Sequence, residues 1–197
     1  MPRSQVLGFP FLLILLTLLS ACASVPRVEQ VVDASEHQQA LAQLKQWRIN
    51  GKLAFKGEND KFSAALNWRQ SDTDYELLLS NLFGTTLLKM TQHQGLVELQ
   101  YDGKDYQHYD AASLLHSLTG WQMPVNDLPL WLKGQRTDGT RILQADKGLI
   151  YQLESPQGWL VELADYRQVD NYALPYSLQL TAGQNQIKIR VNQWTLN

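Results

Sequence analysis

Between Trp47 and Trp194 apolar and polar residues alternate in short runs, each closed by a turn signal, and this period of two commits most of the chain to half-buried β-strands. Ile49, Gly51, Leu53 and Phe55 alternate with Arg48, Asn50, Lys52 and Lys56; Gly57 to Asp60 turns the chain, and Phe62, Ala64, Leu66 and Trp68 return on one face. Ser71 to Asp74 leads into Tyr75-Glu76-Leu77-Leu78-Leu79, where Leu78 interrupts the alternation and implies burial on both sides. Ser80 to Gly84 connects to a strand bearing Thr86, Leu88 and Met90. Gln92 to Gly95 then precedes Val97, Leu99 and Tyr101. Asp102-Gly103 is a two-residue hairpin signal leading into a sixth strand that ends near Tyr109.

The period then changes. Asp110 is placed to cap a helix whose apolar stripe is Ala111, Leu114, Leu115, Leu118 and Trp121, with Gly120 ending the helix proper. After a bend at Met123-Pro124-Val125, Asn126 is placed to cap a short helix holding Pro129 in its first turn, with Leu128, Leu130, Trp131 and Leu132 before Gly134. An earlier helix of about three turns follows Asp33 or Ser35, with Ala40, Leu41 and Leu44 on one stripe and His37 on the solvated side. Strands resume at Arg141 to Ala145, Leu149 to Leu153 and Trp159 to Leu163. Polar residues from Asp165 to Pro175 read as a loop before Tyr176, Leu178 and Leu180, and Ile187, Ile189 and Val191 form the last strand.

Eleven short strands in hairpin order, without parallel crossovers, place the chain in the mainly β class as a strongly curved antiparallel sheet or barrel. A sheet this wide encloses more room than its own side chains fill, and the apolar helices between about 110 and 134 are placed to lie over its mouth as a lid. A filled sandwich satisfies the same pattern.

The N-terminus sets location. Phe11 to Cys22 is a charge-free run after Arg3 that ends in Ser20-Ala21, the layout of a secretory signal peptide. It falls short of the roughly 20 apolar residues a span needs. Leu19-Ser20-Ala21-Cys22 resembles the bacterial lipoprotein box, which makes 1–21 a removed signal peptide, 22–32 a lipidated N-terminus and tether, and 33–197 one domain; the plainer reading is a signal peptide with an incidental cysteine. Cys22 is the only cysteine, so it has no intramolecular disulfide partner. Ala23 follows it, where an Asp would resemble an inner-membrane retention signal, so the outer membrane is favoured.

The formal net charge is −2, and removing Arg3 makes it one unit more negative, a balance that offers no footprint for nucleic acid. No Walker A, GxSxG or HExxH pattern is present. His37, His93, His108 and His116 lack metal-ligand spacing, which leaves no metal call. Asp72 with Asp74 and Asp102 with Asp105 sit at turns. An enzyme acting on envelope components is therefore poorly supported, whereas a structural outer-membrane lipoprotein that scaffolds envelope assembly shares the anchor and the sheet. A monomer is the default expectation.

Together the lipobox, Trp47 to Phe55, Tyr75 to Gly84, and Leu118-Thr119-Gly120 followed by Pro124, Leu128, Trp131 and Gly134 resemble the LolB family of outer-membrane lipoprotein receptors along the whole chain. The resemblance implies an incomplete, unclosed barrel of about eleven antiparallel strands with a helical lid over an apolar cavity, related in fold to the carrier LolA. It implies a non-enzymatic role: accepting lipoproteins from a LolA-type periplasmic carrier by binding their acyl chains, then placing them in outer-membrane phospholipid. It implies no cofactor beyond covalent N-acyl and S-diacylglycerol lipid on Cys22, which holds the protein at the periplasmic face of a Gram-negative outer membrane. The family's membrane-insertion loop maps onto Leu82, Phe83 and Gly84, with Phe83 where Leu is usual and Leu82 where Pro is common. Inward alternation assigns Leu66, Trp68, Leu77, Leu79, Leu88, Met90, Val97, Leu99, Tyr151 and Val161 to the acyl-chain cavity, and Leu114, Leu118 and Trp131 to the lid.

Overall fold

The computed structural model describes residues 33–58 and 60–196. The expected signal peptide, Cys22 and the tether lie outside the described residues. Six strands, β1 (Gln46–Lys56), β2 (Lys61–Ser71), β3 (Asp74–Ser80), β4 (Thr86–His93), β5 (Leu96–Tyr101) and β6 (Lys104–His108), precede the helical insert. Five follow it: β7 (Arg141–Asp146), β8 (Leu149–Glu154), β9 (Leu160–Val169), β10 (Tyr172–Ala182) and β11 (Asn185–Leu196). Helix α1 (Ala34–Gln43) leads into β1, and α2 (Ala111–Thr119) and α3 (Leu128–Leu132) form the insert.

All eleven strands make one antiparallel sheet in the order β6-β5-β4-β3-β2-β1-β11-β10-β9-β8-β7. Strands β6 and β7 are its two edges and do not pair, so the barrel is unclosed. The central strands bury alternate residues, as a period of two requires: Trp47, Ile49, Leu53 and Phe55 of β1 are inside while Arg48, Lys52 and Lys56 are exposed, whereas the edge strand β7 is exposed along its whole length and β6 buries no residue fully. Asp102-Gly103, Gln94-Gly95 and Lys147-Gly148 all have positive φ at both positions, the backbone of the primed hairpin turns that suit twisted strands. Gly51 has a separate purpose. The β1–β11 register shifts between Asn50 and Gly51, and a Cβ there would lie 2.2 Å from the Arg190 carbonyl oxygen.

Helix α1 is capped by Asp33, whose Oδ1 accepts the Glu36 N–H at 2.8 Å. Helix α2 begins at Asp110, whose Oδ1 accepts the Ser113 N–H at 2.7 Å, and ends at Gly120 with φ of 72°. These bonds from Ser113, joined by one from Asn126, hold the Asp110 carboxyl below its ordinary range.

Four expectations are corrected. Asn126 does not cap α3: its Nδ2 donates to Asp110 Oδ2 at 2.7 Å, strapping the two helices together, and Asp127 is the N-cap. The stretch from Asp165 to Pro175 is not a loop, because β9 runs to Val169 and β10 starts at Tyr172. Pro175, which has no N–H to give, is level with Tyr166 immediately before the ladder lapses at Tyr176 and Asp165, the latter at φ of 57°. Leu78 is half-buried on the outer face rather than enclosed on both sides, since Tyr75, Leu77 and Leu79 take the inner positions of β3. His37 is buried, not solvated, with 7 % exposure.

Candidate functional site

The concave side of the sheet is a continuous apolar interior. Cross-strand register lines up Trp68, Leu77, Met90 and Leu99 in one row and Leu66, Leu79 and Leu88 in the next. These seven, with Val97 and Val161, are each at most 2 % exposed, whereas Tyr151 is only half-buried against Tyr166. Among the lid residues Leu114 and Trp131 are buried and Leu118 is half-buried, all three against the same cluster. Polar atoms inside are few, and some are bonded, Trp68 Nε1 donating to Gln70 Oε1 at 2.9 Å and Tyr166 Oη to the Ile150 carbonyl at 2.6 Å. Tyr75 Oη donates to the Met90 sulfur at 3.2 Å, burial pushes its phenol well above the ordinary range, and Trp131 Nε1 has no protein partner.

The lid is held at both ends. At the rim, Trp121 stacks on Phe62 with centroids 4.2 Å apart and lies 5.8 Å from Phe55 and 6.2 Å from Tyr101. Beside it Asn185 Nδ2 donates to Gln122 Oε1 at 2.8 Å, and a groove of about 470 Å³ opens there. At the opposite end Lys133, directly after α3, is 5 % exposed and donates from Nζ to the carbonyls of Leu41 and Leu44 at 2.9 and 3.1 Å. These carbonyls close the C-terminal end of α1: that of Leu41 also accepts the Leu44 N–H at 3.2 Å, and Leu44 is the C-cap residue, at the helix end that attracts a cation. Burial, and secondarily Lys45, pulls the Lys133 ammonium down to about 8. Gln38 Nε2 adds a bond to the Gly134 carbonyl at 3.0 Å. His37, on the same helix, has an unpartnered Nε2, and burial lowers its pKa against the opposing effect of a backbone bond at Ala173.

Leu82, Phe83 and Gly84 lie apart from this interior, in the loop between β3 and β4. Leu82 is 96 % and Phe83 94 % exposed. The loop is nevertheless tightly bonded. Asn81 Oδ1 accepts the Phe83 and Thr85 N–H groups at 2.9 and 3.0 Å, the Asn81 N–H reaches the Thr85 carbonyl at 2.9 Å, and the Gly84 N–H returns to the Asn81 carbonyl at 3.0 Å. Gly84 closes the turn with φ of 82°. Two apolar side chains are thus displayed on a fixed backbone, which contributes the contact area of both at little ordering cost.

Sequence reasoning passed over three parts of this arrangement. Asn81 carried a readable signal, an Asx residue two positions before an apolar tip and three before Gly. The stacking of Trp121 on Phe62 and Phe55 and the Lys133 clamp carried none, since each joins residues far apart in sequence.

The model of the family described as outer membrane lipoprotein LolB matches residues 45–194. The outer-membrane lipoprotein LolB of Shewanella woodyi is 38 % identical over 184 residues, covering 91 % of this chain and 84 % of that protein. That of Aeromonas hydrophila is 35 % identical over 182 residues, covering 92 % and 93 %. Among solved structures, a putative outer membrane lipoprotein-sorting protein domain from Vibrio parahaemolyticus superposes with TM-score 0.53 at 10 % identity, over 83 % of this chain and 91 % of that one. A LolA superfamily protein from Nitrosomonas europaea superposes with TM-score 0.51 at 7 % identity, over 84 % and 94 %. The likeness to these two structures is one of fold: a LolA/LolB-type unclosed antiparallel sheet with helices on its concave side. The extent of the family match and the identity to relatives along nearly the whole chain show that this chain belongs to the outer-membrane lipoprotein LolB family.

Proposed function

We propose that this chain carries out the family's lipoprotein-sorting role by taking the acyl chains of a lipoprotein from a LolA-type carrier into the interior beneath α2 and α3, and by releasing them into outer-membrane phospholipid through the Leu82–Phe83 loop. Cys22, bearing N-acyl and S-diacylglycerol lipid, and the tether to residue 32 hold it at the periplasmic face. Supporting the first step, the interior offers rows of Leu, Met and Trp with almost no competing polar partner. Supporting the second, the loop exposes its two largest apolar side chains on a pinned backbone, and this single observation carries the reading.

The interior is filled by its own side chains, so an incoming chain needs the lid to move outward. The unclosed edge between β6 and β7 permits that movement without breaking a strand ladder. The Gln122–Asn185 bond and the stacking of Trp121 are what must give way at the rim. Transfer needs no nucleotide: a tenfold preference for this interior over the carrier requires about 1.4 kcal/mol, the equivalent of about two buried methylenes.

The direct test mixes the protein with carrier loaded with a lipoprotein and follows the cargo by size exclusion. Cargo is expected to change hands, and no transfer across several cargoes sinks the reading.

A further inference from the structure

Folding gathers a charge pattern that the linear sequence disperses. In register, Arg48 of β1 faces Arg69 of β2 and Lys56 faces Lys61, while Lys52 faces Arg190 of β11. Lys188, opposite Ala54, extends the same face. All seven are exposed and alternate with buried neighbours, so they point away from the core. The outward positions of β2, β1 and β11 carry no Asp or Glu. Among the described residues none of the seven is in an ion pair; Glu76, the β3 partner of Arg69, is instead paired with Lys89 at 3.2 Å. Like charges directly opposite one another destabilise a sheet. Three such pairs on adjacent strands, in a chain whose acids outnumber its Lys and Arg by two, mark a surface neutralised from outside.

A second observation concerns the two ends of the sheet. Helix α1 and the start of β1 are at one end; the Leu82–Phe83 tip is at the other, because Ser80 is already level with Ala65 and Lys52 before the loop begins. The eleven residues of β1 rise about 35 Å. Cys22 and Asp33 are eleven positions apart, and no chain of that length spans more than about 40 Å. An upright molecule with its tip in the bilayer therefore needs the tether drawn out almost fully. A molecule lying along its strands does not.

We propose that the convex face of β2, β1 and β11 is a membrane contact that binds the phosphates of anionic phospholipids and lays the strands along the bilayer. The proposal rests on the anchor and tip assigned above. A curved sheet touches a plane along its central strands, and the cations occupy those strands. A planar anionic surface engages the whole row at once, and cations beyond a Debye length of about 8 Å from the bilayer would contribute nothing in the upright pose.

The test uses the full lipidated chain in liposomes of phosphatidylcholine, with or without one part in three phosphatidylglycerol. With Cys22 acylated, Ser63→Cys on the same face supplies a single thiol for a fluorescent donor, and an acceptor is placed on the lipid headgroups. Energy transfer is expected to be high on the anionic liposomes and low on the neutral ones. Each neutralised cation lowers the ratio of lying to upright molecules about fivefold, so Lys52→Gln with Arg190→Gln lowers it about 25-fold. Both replacements are on the surface and relieve a repulsion, and unchanged tryptophan emission checks the fold. Equal transfer on the two lipids, or no response to the double substitution, overturns the proposal. If transfer ignores phosphatidylglycerol while the double variant fails to accept cargo from a loaded carrier, the face docks an acidic protein and the lipid assignment falls. Loss of flotation with neutral liposomes overturns the anchor reading instead, and flotation with anionic ones still reports on the face.

Discussion

The two ends of the molecule invert the ordinary rule of burial in opposite senses. At the rim, Leu82 and Phe83 stand in solvent on a loop held by the Phe83 and Thr85 N–H groups donating to the Asn81 side chain. At the other end, Lys133 and His37 are inside, and Lys133 is held by the carbonyls that end α1. Each inversion costs stability. The difference lies in what offsets the cost: the clamp recovers it within the chain, through its own hydrogen bonds, whereas the tip recovers nothing until something apolar meets it.

That contrast is open to direct attack. Phe83→Glu removes an aromatic worth about 1.5–3 kcal/mol when buried and adds a charge that resists the bilayer. Delivery to liposomes is expected to fall about a hundredfold, with cargo acceptance and the urea midpoint unchanged. Equal delivery would show that the tip does not enter the membrane. Lys133→Met keeps most of the apolar stem but leaves the Leu44 carbonyl unpaired, and equilibrium urea unfolding should report a loss of about 2 kcal/mol with delivery by the folded fraction intact. Asn81→Ala frees the Phe83 and Thr85 N–H groups to water. It should cost about 1 kcal/mol and broaden the amide resonances of 82–85 while leaving the tip residues themselves in place.

The smallest effects are those of pH. Lys133 titrates lower in the folded chain, near 8, than its ordinary 10.5, so between those values the unfolded chain binds more protons. Stability through this group therefore rises with pH across that window, and the advantage of the wild type over Lys133→Met should widen there. His37 is likewise depressed by burial. Its contribution is complete above its ordinary value of 6.5 and is lost as pH falls through the lower folded value, so His37→Gln should flatten the acid limb of the stability curve.

How much of this could be read beforehand depended on distance along the chain. The strands, the Asp102-Gly103 turn, the Asp110 cap and the Gly120 stop are local matters, set by period, φ and hydrogen bonding within a few residues. The unclosed form of the barrel came with the family resemblance, since alternation alone admits a filled sandwich. His37 is buried because α1 packs against β10 and is bonded to the residues just after α3, contacts that a helical stripe cannot reveal. Pro175 misled in the same way: its missing N–H argues for a loop until the lapse beside Asp165 shows how a strand absorbs it. The basic face was invisible because Lys52 and Arg190 become neighbours only through the pairing of the first strand with the last.

That pairing has a further consequence, for the order in which the molecule can be made. Trp47 meets Leu196 at the middle of the sheet, not at its margin, so two hairpin arrays of six and five strands can form early while the seam between them waits for the final residues. Closing so long a loop is entropically slow, so the seam is expected to be the last part of the sheet to form. It also makes the last strand a keystone: a chain cut before Asn185 loses the strand that joins its halves, and with it Arg190, which faces Lys52 of β1.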